Sequence, residues 1–322
     1  MQNRQIIEPK RSIDVIHETD VLVVGSGPGG LSAAIASARC GVKTTLLERF
    51  GCFGGNITVV GVEGFAWYRH EKTVEAGGIG REFEELAKEM GAAVPESQSL
   101  SYELDSEGFK LVADKLVIDA GIHPMLHRSF STPIMEGNTI VGVIVESKAG
   151  REAILSKVVI DATGDADVAF RAGAKLNSMP VEEQMATSVM FHLAGVDKKA
   201  FLSEIQNNPQ SYKDWSDGEW EVETDGKEDD LFSPFIKKPF QQAINEGLLP
   251  SDLKTIGGTW GAVHDTGELT YMNIIQLSNL DGTNPDDLTK GEIEGRRQAM
   301  LAIEALRKYY PGCEKEIGRA HV

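Results

Sequence analysis

A glycine turn lies between a short apolar run and an alanine-rich segment, and it constrains the fold more than any other feature of the chain. The apolar run is Val21 to Val24, the turn is Gly25-Ser26-Gly27-Pro28-Gly29-Gly30, and the alanine-rich segment is Leu31 to Arg39. This order predicts a strand, a tight turn and a helix. The N-terminus of such a helix carries partial positive charge and free N–H groups, so it can bind phosphate.

The glycines of this turn have separate tasks in a phosphate-binding turn. Gly25 permits the sharp turn, Gly27 lets a pyrophosphate approach bare backbone, and Gly30 lets the helix pack closely on the strand. A glycine pattern alone is weak evidence, because a purely structural turn has the same residues. The surrounding chain must therefore separate the two interpretations.

The pattern continues beyond the turn. Ala34 follows Gly30 by four residues, Gly41 follows Ala34 by seven, and Glu48 follows Gly41 by seven, at the end of the apolar run Val42 to Leu47. A carboxylate at this strand end is suited to accept hydrogen bonds from ribose hydroxyls. The combined pattern predicts a dinucleotide-binding site, but it does not by itself separate FAD from NAD.

The chain after Glu48 departs from a simple repeat of strand and helix. About sixty residues pass before the nucleotide-domain pattern resumes near Lys110 with a predicted helix and a predicted strand at Ile122 to Arg128. Three alternating runs follow, separated by turn residues, and indicate an antiparallel meander: Ser129 to Met135, Thr139 to Glu146, and Glu152 to Lys157. A further short strand is predicted at Val158 to Ile160. We expect an α/β fold, with a Rossmann-like domain that combines a parallel sheet and this three-stranded meander.

Four segments together resemble the FAD-dependent oxidoreductase family, a group of two-dinucleotide-fold flavoproteins that includes relatives of the heterodisulfide reductase A subunit. The segments are DVLVVGSGPGGLSAAIASARCGVKTTLLER, GCFGGNIT, VVIDATGDADVAFRAGA and GRRQAMLAIEALRKYYPG. The resemblance implies FAD as the cofactor and an α+β substrate domain inserted into the FAD-binding domain. It also implies that the last segment is a helix returning to the FAD-binding domain.

The resemblance further implies which residues hold FAD. The turn from Gly25 to Gly30, including Pro28 and Gly29, would hold the ADP half together with Glu48. Arg49 and the backbone of Gly54, Gly55 and Asn56 would lie along the pyrophosphate and ribityl chain. Met125, Leu126 and His127 would flank the adenine, and Gly164 and Asp165 would cap the nucleotide. For Asp165 and Asp167 the alternative is an N-cap and a first-turn acid of a following helix.

The expected domain organisation follows the same resemblance. The ranges are 1–59 and 105–178 for the FAD-binding domain, 60–104 and 179–290 for the substrate domain, 291–315 for the return helix, and 316–322 for a tail. Residues 317–322, IGRAHV, resemble a translated sequencing adapter, so we expect a non-native tail on a chain truncated at its C-terminus.

The substrate domain would supply groups that orient the substrate and give or take a proton beside the flavin. The candidate catalytic residues are His264, Tyr271 and Asn273, and the further candidates are His192 and the pair Arg69-His70. For each of them alone, a surface or packing role is the alternative. The acidic run from Asp214 to Asp230 is interpreted as a solvated loop.

Three functions are compatible with these residues. The first is an FAD-dependent oxidoreductase that transfers a hydride or electrons between a small organic substrate and the flavin. The second is a non-catalytic or electron-transfer flavoprotein subunit that works with a redox partner protein. The third is a flavin monooxygenase, which DATGDADVAF fits less well because that class has an Asp-Gly pair in another context.

Charge and cysteine usage exclude several classes of partner. With 32 Lys and Arg against 49 Asp and Glu, the net charge of -17 opposes binding to nucleic acid. No stretch approaches the roughly 20 apolar residues of a membrane span, and we expect a cytoplasmic protein.

The three cysteines, Cys40, Cys52 and Cys313, form no metal-binding or cluster motif. We therefore expect no metal site and interpret Cys52 as an inert thiol.

Overall fold

The computed structural model describes residues 5–64, 69–70, 73–74, 77–96, 102–208, 212–213, 219–220, 235–253, 256–315 and 317–320. The chain divides into two compact units. The first unit contains Met1–Phe53 and Leu116–Leu176, and the second contains Gly54–Lys115 and Asn177–Val322. None of the described helices is both long enough and apolar enough to cross a membrane.

Strands and helices are interspersed along the described chain, with up to four strands in succession. In chain order the strands are β1 (Val15–Val24), β2 (Thr44–Leu47), β3 (Arg69–His70), β4 (Thr73–Val74), β5 (Ala93–Pro95), β6 (Tyr102–Leu104), β7 (His123–Met125), β8 (Ser129–Glu136), β9 (Thr139–Ser147), β10 (Gly150–Asp161), β11 (Phe191–Ala194), β12 (Tyr212–Lys213), β13 (Glu219–Trp220), β14 (Phe235–Ile236), β15 (Gly258–Thr259), β16 (Leu269–Met272) and β17 (Ile317–Ala320). The helices are α1 (Pro28–Arg39), α2 (Ile79–Glu89), α3 (Ser106–Asp119), α4 (Asp167–Arg171), α5 (Lys198–Asn207), α6 (Lys238–Asn245) and α7 (Pro285–Tyr309), with a π-turn at Asn56–Val60 and a 3-10 turn at Val181–Glu183.

The first unit is built on a six-stranded sheet in the order β7-β2-β1-β10-β9-β8. β7, β2, β1 and β10 are parallel to one another, whereas β9 runs antiparallel to both β10 and β8. This sheet confirms the predicted combination of a parallel sheet and a three-stranded meander. Apolar residues from its strands and from α4 form the core of the unit, among them Leu22, Leu47, Met125, Ile154 and Val168.

Two strand boundaries differ from the sequence prediction. The segments predicted as separate strands at Glu152 to Lys157 and Val158 to Ile160 form one strand, β10, which pairs with β9 along its first half and with β1 from Ala153 to Asp161. β1 begins at Val15 rather than Val21, because its first half also pairs with β10. The first half of β1 is mostly exposed and has no apolar run, so the sequence pattern missed it.

The second unit packs its helices against short strands. A three-stranded sheet has the order β16-β11-β17, and β14 and β15 form a separate pair. The core joins α5, α6 and α7 to these strands around the fully buried Trp260, with Phe201 and Tyr310 beside it. The ring centroids of Phe201 and Trp260 are 5.2 Å apart in an edge-on arrangement.

The two C-terminal segments lie in the second unit. The helix assigned to 291–315 begins earlier, at Pro285, with the Asn284 side chain as its N-cap. Its buried face includes Ala299, Ala302 and Leu306, and these residues pack in the core of the second unit rather than returning to the first. Residues 317–320, assigned to a tail, form β17 antiparallel to β11. Their non-native origin stays a prediction.

Some candidates lie outside the described part of the chain. Residues 214–218 and 221–230 of the acidic run are outside the described residues. Arg69 and His70 form β3, but their side chains are outside the described set.

Candidate functional site

The turn between β1 and α1 requires glycine at two positions. Gly25 has a φ of 97°, and a Cβ atom there would lie 2.2 Å from the carbonyl oxygen of Ala162. A Cβ atom on Gly30 would lie 1.9 Å from the carbonyl oxygen of Gly25. Because both contacts are with backbone atoms that cannot rotate away, any larger residue would displace the turn from the sheet. These are the two packing tasks that the sequence assigned to these glycines.

The other two glycines of the turn face open space. A Cβ atom on Gly27 or Gly29 would have no atom within 4 Å. Pro28 occupies the start of α1, where its missing N–H leaves no gap in the helix, and Leu31 N donates to Gly27 O at 2.9 Å. Bare backbone at a helix N-terminus is a suitable surface for a pyrophosphate. A side chain at Gly27 would occupy that surface.

Glu48 connects the end of β2 to the glycine turn. Its side chain is buried, with 6% of the residue exposed. Oε2 accepts hydrogen bonds from Ser26 N at 3.0 Å and Ser26 Oγ at 2.6 Å, and Oε1 accepts from Phe50 N at 2.9 Å. A carboxylate has about four lone-pair sites, so Oε1 keeps capacity for a ribose hydroxyl. The Ser26 contact was missed in the sequence, although Ser26 lies inside the motif.

The segment after β7 lies beside the segment after β2. Glu48 N donates to Met125 O at 2.8 Å, and His127 N donates to Phe50 O at 3.1 Å. Met125 is buried, Leu126 is half-buried, and His127 is exposed with a φ of 56°. Two neighbouring strand ends of a parallel sheet thus form one edge, which is the arrangement expected for an adenine-flanking segment.

Gly164 and Asp165 lie in the loop after β10. Gly164 has a φ of 96°, and both residues are exposed. Asp165 is not the N-cap of α4, which corrects the alternative interpretation of this residue. Ala166 is the N-cap, and the free N–H groups of the helix are bound by Thr163 Oγ1 (from Asp167 N, 2.9 Å) and Asp161 Oδ2 (from Ala169 N, 2.9 Å). Asp167 is a first-turn acid, as that interpretation expected.

The structure separates the predicted FAD residues between the units. Gly25, Gly27, Pro28, Gly29, Gly30, Glu48, Arg49, Met125, Leu126, Gly164 and Asp165 all belong to the first unit. Arg49 is exposed, and its guanidinium lies 4.7 Å from the Phe50 ring centroid. Gly54, Gly55 and Asn56 open the second unit, where Gly54 and Gly55 have φ values of 116° and 54° and lead into the π-turn.

The second unit holds a cluster of buried polar side chains that sequence reasoning found only in part. Its members are Glu63, Glu103, His192, Glu268 and Thr270. Glu63, Glu103, His192 and Thr270 are buried, while Glu268 is half-buried. His192 Nε2 lies 3.0 Å from Glu63 Oε2, and His192 Nδ1 lies 3.5 Å from Glu268 Oε1. Thr270 Oγ1 donates to Glu103 Oε2 at 2.6 Å. His192 was among the sequence candidates, but the two buried acids were missed.

Burial and charge shift the titration of this cluster. Burial raises the pKa of Glu103 well above its ordinary value, and the neighbouring Glu63 carboxylate raises it further. Burial lowers the pKa of His192, but the carboxylates of Glu63 and Glu268 outweigh that effect and leave this pKa above its ordinary value. Perturbed groups of this kind concentrate at functional sites.

The three catalytic candidates lie beside this cluster or near it in sequence. Tyr271 has a φ of 50°, and burial followed by the charge of Glu103 raises its pKa. The Asn273 side chain hydrogen-bonds to Tyr271 and opposes that rise. His264 is half-buried at a tight turn, where its N–H donates to Glu268 O at 2.7 Å. The structure therefore brings Tyr271 and Asn273 together and leaves His264 at the turn that ends near Glu268.

The cysteines form no disulfide, in agreement with their spacing. Cys40 is exposed, Cys52 is half-buried and Cys313 is buried. Within the described ranges, no group of three or more His, Cys, Asp or Glu residues is arranged to hold a metal ion.

Known proteins resemble this chain in both sequence and fold. Thiamine thiazole synthase of Metallosphaera sedula is 33% identical over 173 residues, which are 50% of this chain and 60% of that protein. The enzyme of the same name from Saccharolobus solfataricus is 33% identical over 175 residues, 51% of this chain and 62% of that protein. The alignments thus span about three fifths of the length of these curated relatives.

A solved structure shares the fold over nearly the whole chain. The geranylgeranyl bacteriochlorophyll reductase-like protein of Thermoplasma acidophilum matches with a TM-score of 0.50 and 17% identity, covering 94% of this chain and 64% of that one. At this identity the match concerns the fold alone. The family model described as FAD dependent oxidoreductase matches residues 20–319. The glycine turn, its open backbone and Glu48 fit the cofactor in that description, and the chain belongs to the FAD dependent oxidoreductase family.

Proposed function

We propose that this FAD enzyme oxidises or reduces a small organic molecule by transfer of a hydride or electrons, with proton transfer carried out by residues of the second unit. The observation that carries the proposal is Tyr271, which combines a left-handed backbone with a half-buried side chain whose pKa is raised by burial and by the charge of Glu103. A bulky residue with positive φ is an outlier that costs about 1–3 kcal/mol, and such strain concentrates at functional sites.

The first unit would hold FAD along the turn from Gly25 to Gly30, with Glu48 at the ribose and Met125 and Leu126 at the adenine. Bound FAD supplies the capacity to accept or donate a hydride or single electrons. The backbone surface at Gly27 and Gly29 and the dipole of α1 would stabilise the pyrophosphate charge. Binding of the pyrophosphate in this way does not require any described side chain of the turn to gain or lose a proton.

Tyr271 would act on the proton that accompanies hydride transfer. Its raised pKa keeps the hydroxyl protonated at neutral pH, so it can donate a proton to a substrate atom that gains negative charge. Asn273 would hold the phenolic oxygen in place and stabilise the phenolate that forms. His264, half-buried at its turn, would help to bind the substrate.

The experiment is a substrate-dependent flavin reduction screen under anaerobic conditions, read from the flavin absorbance bands. A positioned general acid contributes about 10²–10⁴-fold to the rate, so Tyr271→Phe should slow flavin reduction by about a hundredfold or more while the FAD content stays at the parent level. Tyr309→Phe is the matched control, because it also removes one tyrosine hydroxyl of the second unit, in this case one bound to the exposed Glu246.

Other outcomes of the screen favour other functions. Reduction by a protein donor but by none of the small molecules would favour the electron-transfer subunit. A requirement for oxygen in product formation would favour the monooxygenase. An equal rate in Tyr271→Phe and the parent would remove Tyr271 from the reaction.

A second candidate function comes from the curated relatives. The 33% identity with thiamine thiazole synthases covers half of this chain, so the shared part favours the activity for which they are named. Formation of a thiazole product by the purified protein, with no turnover of any redox substrate, would select this candidate over the first.

A further inference from the structure

Two buried carboxyl groups lie close together in the second unit. Glu63 and Glu103 are each 2% exposed. Their segments pair through a bridge between Gly64 and Glu103, and Leu104 N donates to Glu63 O at 2.9 Å. Two neighbouring carboxylates in a protein interior cannot both ionise without a large unfavourable energy, so the pair retains a proton unless cations neutralise both members.

The two carboxyl oxygens of Glu63 have different neighbours. Oε1 accepts from Ser106 N at 3.1 Å, and Ser106 is the first residue of α3. Oε2 lies 3.0 Å from His192 Nε2. The Glu63 side chain therefore lies between a helix N-terminus and an imidazole.

Burial favours the neutral form of Glu103. The residue is 2% exposed, and Oε1 lies 1.7 Å from where a Cβ atom on Gly261 would be, so Gly261 leaves room for the carboxyl group against bare backbone. Oε2 accepts from the Thr270 hydroxyl at 2.6 Å, which favours the carboxylate but is outweighed by burial. Among the described residues, the charged or titratable groups that act on Glu103 are Glu63, Glu96 and Tyr271, and none of these is a cation.

His192 lies between two carboxyl groups. Its ring is next to Glu63, whose side chain is 1% exposed, and Glu268, whose side chain is 40% exposed. Against the opposing effect of burial, both carboxylates raise the pKa of His192.

We propose that Glu103 is a neutral carboxylic acid at neutral pH and serves as a proton store for the second unit. The use of this proton in turnover rests on the proposed function. After Tyr271 has protonated the substrate, the O–H bond of Glu103 breaks and an O–H bond forms on the Tyr271 phenolate. Glu103 is then a carboxylate, and a proton from solvent restores it.

The test is infrared spectroscopy of the oxidised holoenzyme at neutral pH without substrate. The carbonyl stretch of a protonated carboxyl group should be present in the parent, shift in D₂O, and be lost in Glu103→Gln. It should persist in Glu63→Gln, because burial alone keeps Glu103 neutral. Glu84→Gln is the matched control: Glu84 is a fully buried acid of the second unit paired with Lys88, and its removal should leave the band intact.

His192 has its own readout in the same spectra. His192→Gln removes the imidazole beside Glu63 and leaves Glu103 in its buried site, so the Glu103 band should persist in this variant, and its loss would overturn burial as the cause of the neutral form. If Glu103→Gln does not fold, Thr270→Val gives the answer instead. Loss of the donated hydrogen bond should shift the band of a protonated Glu103 to higher frequency.

The infrared spectra are recorded without substrate, so they test the proton store independently of turnover. A parent spectrum without a protonated carboxyl band, or a band that survives in Glu103→Gln, overturns the proton store. A band that behaves as expected in an enzyme whose flavin no substrate reduces overturns the proposed function and leaves the store intact.

Discussion

The two units of this protein provide polar groups in different ways. The first unit has bare backbone at its glycine turn, with Gly27 and Gly29 open and Gly25 and Gly30 closed against backbone atoms. The second unit instead buries the ionisable side chains of Glu63, Glu103 and His192. A backbone surface keeps its charge pattern at every pH, whereas buried ionisable groups can exchange protons. From this comparison we propose that the first unit binds the cofactor and the second unit supplies the groups that react.

The largest expected effect is on the glycine turn of the first unit. Gly30→Ala places a methyl group 1.9 Å from Gly25 O. Because neither backbone segment can move without breaking the contact between α1 and β1, we expect a loss of about 3 kcal/mol or more in the free energy of unfolding, and a loss of FAD binding. Urea unfolding of the FAD-free protein measures the first effect.

Two neighbouring glycines provide the controls. Gly29→Ala has no atom within 4 Å of the new methyl group and should unfold like the parent. Gly27→Ala should also retain its stability but bind FAD weakly, because the methyl group would occupy the surface expected for the pyrophosphate. If all three variants lose stability equally, the distinction between packing and binding glycines is wrong.

A smaller effect is expected at Glu48. Glu48→Gln keeps the shape of the side chain but removes the charge that binds Ser26 N and Ser26 Oγ and is expected to bind the ribose. Charge-assisted hydrogen bonds contribute about 1.5–3 kcal/mol, so FAD affinity should fall by about tenfold to a hundredfold in a flavin titration. Equal affinity in the variant and the parent would mean that the end of β2 does not bind the ribose.

The difference between the units also explains what the sequence could predict. Glu48 and Ser26 are 22 residues apart and belong to one motif, so the local pattern was sufficient to single out Glu48, although not its contact with Ser26. Thr270 and Glu103 are 167 residues apart, and no local pattern connects them. The only signal for the buried acids was an acid among apolar neighbours, as in Val62-Glu63 and Tyr102-Glu103-Leu104.

The sequence did not predict the core against which α7 packs, for a related reason. The meander was predicted correctly because alternation and turn residues are local properties. The unit to which α7 belongs depends instead on which core accepts Ala299, Ala302 and Leu306, and the hydrophobic pattern of a helix does not specify its partner.

The buried ionisable groups of the second unit predict that the free energy of unfolding depends on pH. The pKa of His192 lies above its ordinary 6.5, so its stabilisation is complete below that pH and is lost as the pH rises through the raised pKa. The pKa of Glu103 lies well above its ordinary 4.5, so the native state holds a proton that the unfolded chain releases, and stability again falls as pH rises. Both groups therefore favour the acidic side of neutrality.

Thermal melting at a series of pH values checks the sign of this pH dependence. One unit of pKa shift corresponds to about 1.4 kcal/mol, so we expect Tm to fall by a few degrees between about pH 6 and pH 8. The double variant Glu103→Gln, His192→Gln should have a flatter profile than the parent, whereas Gly29→Ala should keep the parent profile. A parent Tm that rises over this range would contradict both assignments.

The smallest effect is expected at Cys52, which lies in the first unit near the end of its cofactor-binding segment. A flavin-linked disulfide cycle needs a second thiol to resolve the mixed disulfide, and a reactive thiolate beside the flavin. Cys52 forms no disulfide, Cys40 is exposed at the C-terminal end of α1, and Cys313 is buried in the core of the second unit.

Cys52→Ser should therefore change the rate of flavin reduction by no more than about twofold, the scale of a neutral substitution of about 0.5 kcal/mol. Stopped-flow reduction by a substrate found in the screen measures this rate, with Cys40→Ser as the matched control. A loss of a hundredfold in Cys52→Ser alone would show that a first-unit side chain takes part in the chemistry, and the division into a binding unit and a reacting unit would then be wrong.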